Sequence, residues 1–384
     1  MKIAFRTDAS LQMGSGHVMR CLTLADALRA QGAQCHFINR AHPGNLISTI
    51  QQRGYKVNSL VAPVQQAQAA IKKITPAAQD TQPYQAPEPF HTAWLGSTWQ
   101  ADVADTEEVL ANLQPDWLVV DHYALDQRWE SALQPHYKKL MVIDDLADRV
   151  HGCNLLLDQN LGRQPQDYAK MVPAECQVLT GPQYALLRPE FSALRPYSLQ
   201  RRQLQTSVGR LLITMGGVDQ DNVTGQVLQA LKTCALPDDC RITVVMGLTA
   251  PWLQKVRQLA AQMPWPTDVL VNVNDMAQCM ADSDLAIGAA GSTSWERCCM
   301  GLPTLMMVLA ENQREAATHI QNSGAAYCLA LNGSMQDDLK AQLQSLVSYP
   351  VKLSQMAACA SAVTNGLGVD HVVTAITVSI NNRN

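Results

Sequence analysis

The chain has 384 residues, 47% of them hydrophobic and 16% charged, with Lys+Arg 29 against Asp+Glu 33 for a net charge of -4. This is globular chemistry on the scale of two or three domains, and it excludes a disordered chain. The acidic balance and an aromatic share of only 5% argue against a protein that coats nucleic acid or stacks single strands.

Lys2–Thr7 reads as a strand. Its apolar part is too short for a signal-peptide core, and no apolar run in the chain approaches the ~20 residues of a spanning helix, so a cytoplasmic protein is expected. Val18–Gln31 reads as a helix, with Leu22, Ala25, Leu28 and Arg29 at helical spacing and Gly32 as the stop. Gln34–Ile38, Trp117–Asp121 and Leu140–Asp144 read as further strands. The last two are continuous apolar runs ending in a carboxylate, as strands buried on both faces require. Pro63–His91, rich in Gln, Ala and Pro, reads as a surface insertion covering about residues 63–92. Arg195–Ser207 is polar, carries Pro196 and Arg201-Arg202, and reads as a linker. The pattern then restarts. Arg210–Met215 is a strand ending in Gly216-Gly217, Asn222–Leu231 a helix, and Ile242–Met246, Val269–Val273, Leu285–Ile287 and Thr304–Val308 further strands. A last helix is expected from Leu367 on. Such alternation implies an α/β chain of βαβ units in two doubly wound, Rossmann-like sheets. The expected domains are 1–200 and 206–365, followed by a C-terminal helix over 366–384.

Eleven cysteines without a C-x-x-C pair read as reduced thiols, and the nine histidines show no metal-binding spacing. The chemistry concentrates in two glycine loops. The first, Asp8–Arg20, joins the first strand to the first helix, the place where α/β proteins bind ligands. Its Gly14 and Gly16 permit close approach of a ligand. Gly14-Ser-Gly16 lacks the third glycine of a dinucleotide fingerprint, the second strand ends in Asn39-Arg40 rather than an acid, and no G-K-[ST] is present. NAD and P-loop chemistry are therefore not expected. His17 at this turn is either a packing histidine or a base that takes a proton from water. In the second loop Ser292 and Thr293 open a helix after a buried strand, which offers amides for a diphosphate without a metal. Glu296, one turn on, suits ribose hydroxyls; the alternative is a capping box between Thr293 and Glu296. Gly216-Gly217-Val-Asp219 is a third loop at a strand end. Asp121 and Asp144 are either strand-end caps or ligand groups.

A set of longer stretches goes further. It comprises Arg6-Thr-Asp8 with Gly14-Ser-Gly-His-Val-Met-Arg-Cys21, Val120-Asp-His-Tyr123, Ile143-Asp-Asp-Leu146 and Leu157-Asp-Gln-Asn160. It continues with Tyr184-Ala-Leu-Leu-Arg-Pro-Glu-Phe191, Gly216-Gly-Val-Asp219, Gly288-Ala-Ala-Gly-Ser-Thr-Ser-Trp-Glu-Arg-Cys-Cys-Met-Gly-Leu-Pro303 and Glu311-Asn-Gln313. Together they resemble the UDP-2,4-diacetamido-2,4,6-trideoxy-β-L-altropyranose hydrolases of pseudaminic acid biosynthesis. That family is similar in fold to the GT-B glycosyltransferases, notably the lipid-linked N-acetylglucosamine transferase of peptidoglycan synthesis. The resemblance implies two Rossmann-like domains with the active site between them, the second holding UDP and the first presenting the base. It implies hydrolysis of the UDP-sugar to UDP and free 2,4-diacetamido-2,4,6-trideoxy-L-altrose, a precursor of a nonulosonic acid used on flagellin or surface glycans; a single displacement by water, with inversion and without a metal, is expected. It maps the base onto His17. Arg6 and Asp8 are expected on the sugar side, Asp8 orienting His17, with Asp121, His122 and Tyr123 at the acetamido groups. Gly14, Gly16, Asn160, Gly216, Gly217, Asp219, Gly291, Ser292, Thr293, Glu296, Glu311, Asn312 and Gln313 complete the expected substrate contacts. No cofactor, metal, nucleic acid or membrane partner is expected; the sequence leaves the oligomeric state open, a monomer included. The insertion and Ala290, where a further glycine is more typical, depart from the pattern. A GT-B glycosyltransferase and a non-catalytic UDP-sugar-binding subunit are the rival readings.

Overall fold

In the computed structural model, residues 1–62, 88–205, 207–248, 250–331 and 333–381 are described. The expected insertion lies outside them up to residue 87. The chain divides into two units: Met1–Asp158 with Pro165–Leu179, and Gln159–Gln164 with Thr180–Asn384.

The first unit runs β1 (Lys2–Thr7), α1 (Gly16–Ala30), β2 (Gln34–Arg40), α2 (Ile47–Gln52), β3 (Lys56–Leu60), α3 (Trp99–Leu113), β4 (Trp117–Asp121), α4 (Gln127–Leu133), β5 (Lys139–Ile143), β6 (Leu155–Asp158) and β7 (Gln177–Thr180). The sheet order is β3-β2-β1-β4-β5-β6-β7, and β1 pairs in parallel with both β2 and β4. Strand order therefore reverses between β1 and β4, the position where open α/β sheets bind ligands at their carboxyl ends. Alternation along each strand covers both faces. Ala4, Leu118, Val120, Leu140 and Val142 pack with Leu110 of α3 and Trp129 and Leu133 of α4. On the neighbouring residue of β1, Phe5 stacks on Phe37 with ring centroids 4.9 Å apart. Each fully buried Val, Leu, Ile or Phe contributes about 1.5–3 kcal/mol by leaving water.

The second unit runs α5 (Pro189–Leu204), β8 (Arg210–Thr214), α6 (Val223–Leu231), β9 (Arg241–Met246), α7 (Leu253–Ala260), β10 (Thr267–Val271), α8 (Met276–Asp282), β11 (Leu285–Ala289), α9 (Thr293–Cys299), β12 (Thr304–Met307), α10 (Arg314–Asn322), β13 (Ala326–Leu329), α11 (Met335–Ser348), α12 (Pro350–Val363) and α13 (Gly368–Asn381). Its sheet order is β10-β9-β8-β11-β12-β13, again with the reversal beside the first strand of the unit. Leu211, Ile213, Leu285, Ile287, Leu305 and Met307 face one core with α6, α7 and α11. The intervening Leu212, Ala286 and Met306 face the other, with α8 and α9.

Two expectations are corrected. Arg195–Ser207 is no linker: up to Leu204 it is the second half of α5, with Pro196 inside the helix. Arg195, Ser198 and Arg202 spend their donors on backbone carbonyls. Arg195 donates to Cys299 and Ser361, Ser198 to Met300, and Arg202 to Met280, Ser283 and Met300. The boundary expected near residue 200 accordingly falls at Thr180, and α5 belongs wholly to the second unit. The strand expected at Val269–Val273 begins two residues earlier, at Thr267. Among the described residues, no helix is long and apolar enough to cross a membrane.

Candidate functional site

In the first unit the loop after β1 delivers His17 to the first turn of α1, almost buried, with 8% exposure. Its Nδ1 lies 2.6 Å from Oδ1 of Asp121, the last residue of β4. Parallel register sets Asp121 opposite Thr7 at the end of β1, which brings the carboxylate to the root of this loop. Burial pushes the Asp121 carboxyl up, but the charges of Arg20 and His17 outweigh it and hold the group well below the usual range. An ionised carboxylate only accepts, so Nδ1–H donates to it and Nε2 is left as the basic nitrogen. Arg20 clamps the same carboxylate through Nε at 2.6 Å and Nη2 at 2.7 Å. Its Nη1 reaches Asp145 at 2.7 Å, and the Tyr123 hydroxyl donates to Asp145 as well. The Tyr123 ring and the His17 imidazole form a T-shaped pair with centroids 4.6 Å apart. Trp94 stacks beside Tyr123 at 5.8 Å, and His91 beside Trp94 at 4.3 Å. The imidazole thus has a carboxylate behind it and aromatic rings along its side.

Arg6 and Asp8 do other work than expected. Arg6 is fully buried, paired to Asp8 at 2.7 Å and to Asp102 of α3 at 2.7 Å. Asp8 Oδ1 also accepts the Arg40 amide at 2.6 Å. Its Oδ2 lies 3.3 Å from Nε2 of His122 and 3.6 Å from Nε2 of His42. Asp8 therefore does not orient His17; Asp121 does. His122 is also turned inward: its Nδ1 accepts the Ala124 amide, and burial lowers its pKa. These three residues brace the sheet edge beneath the loop, whereas Asp121 and Tyr123 on either side of His122 stand against the imidazole. Gly14, with φ +76°, has open space where a side chain would project, and Gly16 begins α1.

In the second unit the loops after β8, β11 and β12 share the carboxyl edge at the strand-order reversal. Gly216 and Gly217 both have open space at the Cβ position. Asp219 does not: its carboxylate accepts the amides of Val223 at 2.8 Å and Thr224 at 2.9 Å. It caps α6, which corrects its expected role as a ligand group. At α9 the N-cap is Ser292, which is exposed and makes no side-chain cap bond. Thr293 accepts from Arg297 Nη1 at 3.1 Å rather than pairing with Glu296. Glu296 lies 3.6 Å from Arg188 Nη2. Burial raises its carboxyl pKa, and Arg188 opposes that shift. Arg297 is fully buried beneath the loop, with donors on the Ala289 carbonyl and the Ser294 hydroxyl. Burial lowers its pKa to about 10, partly offset by Cys298 and Glu296. Gln313 lies beside Gly291, its Nε2 3.9 Å from the Cβ position there. Its neighbour Asn312 is half-buried in the same turn. Glu311 instead points to Arg314 on the surface, at 2.8 Å. Asn160 sits in the short segment 159–164 that groups with the second unit.

Arg20, Asp145, Trp94, Arg188 and Arg297 carry parts of these sites and had no assigned role in the sequence reading. Arg20 had a signal, since it lies three residues after His17 and so shares a face of the helix. Among the described residues, no group of three or more His, Cys, Asp or Glu could hold a metal ion.

Comparison with known proteins agrees with the fold and with the resemblance. The glycosyltransferase family 28 C-terminal domain matches residues 210–370. An uncharacterised protein of Methanocaldococcus jannaschii, MJ1062, is 25% identical over 82% of this chain. The spore coat polysaccharide biosynthesis protein SpsG of Bacillus subtilis is 30% identical over 48%. The matches span 57% and 53% of those two proteins' lengths. The UDP-2,4-diacetamido-2,4,6-trideoxy-β-L-altropyranose hydrolase of Campylobacter jejuni is 23% identical over 84% of this chain and 97% of its own. Among solved structures, MurG of Acinetobacter baumannii superposes with a TM-score of 0.68 at 17% identity, covering 98% of this chain and 99% of that one. Anabaena HepE, in complex with UDP and glucose, does so at 0.54 and 14%, covering both chains fully. The chain thus has the two Rossmann-like units of the GT-B glycosyltransferases, and it is similar along most of its length to the hydrolase that its motifs resemble.

Proposed function

We propose that the protein hydrolyses UDP-2,4-diacetamido-2,4,6-trideoxy-β-L-altropyranose to UDP and free 2,4-diacetamido-2,4,6-trideoxy-L-altrose. The observation that carries this reading is the His17–Asp121 contact at 2.6 Å, which leaves Nε2 of a histidine in the first turn of α1 as a proton acceptor. The similarity to the Campylobacter hydrolase supplies the substrate. Water beside Nε2 gives up its proton as its oxygen bonds to the anomeric carbon, and the bond from that carbon to the diphosphate oxygen breaks. A single displacement inverts the configuration. UDP leaves as an anion and needs no strong acid. The second unit would hold it, with the diphosphate against the backbone amides at Ser292 and Thr293. Arg297 adds positive potential from below, and Glu296 faces the ribose.

A transferase reading has support from the glycosyltransferase family 28 match. It differs only in the group that receives the sugar. Purified protein incubated with the UDP-sugar and no acceptor separates the two. Hydrolysis predicts UDP and free sugar in equal amounts, and His17→Asn lowers turnover about 10²–10⁴-fold while UDP binding survives. Release of UDP only when a hydroxyl acceptor is added would establish the transferase, and binding without turnover a non-catalytic subunit.

A further inference from the structure

We infer that Arg20 is a positioning residue for the proposed base, closing a ring of contacts that fixes Asp121 and balances its charge; this rests on the reading of His17 given above. The ring can be followed atom by atom. His17 Nδ1–H donates to Asp121 Oδ1. Arg20 Nε and Nη2 hold both oxygens of that carboxylate, at 2.6 and 2.7 Å. Arg20 Nη1 reaches Asp145 Oδ2 at 2.7 Å, where the Tyr123 hydroxyl also donates. The Tyr123 ring returns to the imidazole in a T-shaped contact, centroids 4.6 Å apart. The parts come from α1, the end of β4 and the loop after β5, so the ring ties three elements together at the base.

The electrostatics of the ring have a direction. A buried aspartate against an imidazole stabilises the protonated ring, yet a base must be unprotonated when water arrives. Arg20 opposes this: its Nη2 is 3.4 Å from His17 Nδ1 and repels the imidazolium. Asp145 acts with the opposite sign, from the far side of the guanidinium. Among the described residues, Cys21, Arg149 and His91 also face the ring, with Asp148 and His122 next to His91. The Cys21 thiol donates to Asp121 Oδ2 at 3.6 Å, Arg149 lies 5.7 Å over the Tyr123 ring, and the His91 ring lies 5.5 Å from it. Burial pushes the Cys21 thiol and the Tyr123 phenol well above their ordinary values, so both stay neutral. For Arg20, burial works against the charge, but Asp121 and Asp145 outweigh it and keep the guanidinium protonated. The guanidinium of Arg20 thus lies between the carboxylates of Asp121 and Asp145, beside the proposed base.

The test is the pH profile of kcat/KM for acceptor-free hydrolysis. Arg20→Gln removes the cation, so the acidic limb moves up by about one pH unit or more. Asp145→Asn removes an anion, so the limb moves down. Arg20→Lys keeps the charge but loses the two-pronged clamp. Its limb stays in place while kcat falls about tenfold with KM little changed. Misfolding moves no limb in two opposite directions. Coincident limbs in folded Arg20→Gln and wild type, or an unmoved limb in Asp145→Asn, would overturn the inference. If Arg20→Gln does not fold, the Asp145→Asn and Arg20→Lys arms still decide. If the wild type shows no hydrolysis, the reading of His17 has failed separately. The ring is then read from an NMR pH titration of the His17 signal in the ligand-free protein, with the same opposite displacements expected.

Discussion

Glu296 and Arg188 stand 3.6 Å apart, beyond hydrogen-bonding distance, beside the first turn of α9. The carboxylate therefore keeps acceptor capacity for a pair of ribose hydroxyls. Hydrogen bonds to a charged group contribute about 1.5–3 kcal/mol each, so Glu296→Ala should weaken UDP binding at least about tenfold. Calorimetry with UDP reads this directly, and unchanged affinity removes Glu296 from the ribose. At this scale the sequence was informative about which loops matter and less so about which partner each side chain takes. His17 stood out between two glycines and a helix start. Its partner could not be read, because Asp8 directly follows one strand and Asp121 ends another, and only the pairing of Thr7 with Asp121 decides between them. Arg6 and Asp219 look like ligand groups in a linear sequence. In three dimensions one is locked between two carboxylates and the other caps a helix.

Between strand and helix, the turn from β11 into α9 is built around a close approach. A Cβ on Gly288 would meet Arg297 Nη1 at 2.7 Å and the Thr214 carbonyl oxygen at 3.1 Å. Gly288→Ala should therefore push the buried guanidinium off the Ala289 carbonyl and destabilise the unit by about 1–3 kcal/mol. A urea midpoint equal to that of the wild type would contradict this packing. The apolar strands β4, β5, β8 and β11 were legible because both of their faces are buried. The edge strand β3, whose residues are mostly exposed, gave no such signal. Helix α5 was hidden by its arginines and Pro196. Those arginines donate to carbonyls of neighbouring elements, and a composition that reads as solvent-facing is in fact packed.

Over the whole molecule, the restart of one strand–helix pattern announced two sheets, but no local signal marked where the chain passes from one unit to the other. The first unit also carries a dependence on acid that composition conceals. Asp144 follows β5, bound by Arg149 at 2.9 Å and by the Tyr168 hydroxyl at 3.0 Å. Burial pushes its carboxyl up, but Arg149 and His151 bring it down to about 2. The folded value lies below the unfolded one, so this stability is complete above about pH 4 and is lost as pH falls toward 2. Its size is about 2 kcal/mol. Chemical denaturation between pH 5 and pH 2 should show that decline, and Asp144→Asn should flatten part of it. A wild-type stability independent of pH over that range would contradict the pairing.

The central claim is that water, activated by His17, takes the place of an acceptor at the anomeric carbon. The most direct measurement is a proton NMR time course of the UDP-sugar with enzyme alone, recorded fast enough to see the first anomer before it equilibrates. The account predicts free sugar appearing first in the configuration opposite to that of the substrate, at a rate lowered at least about a hundredfold in His17→Asn. A first product of retained configuration, or equal rates for the two proteins, would contradict it.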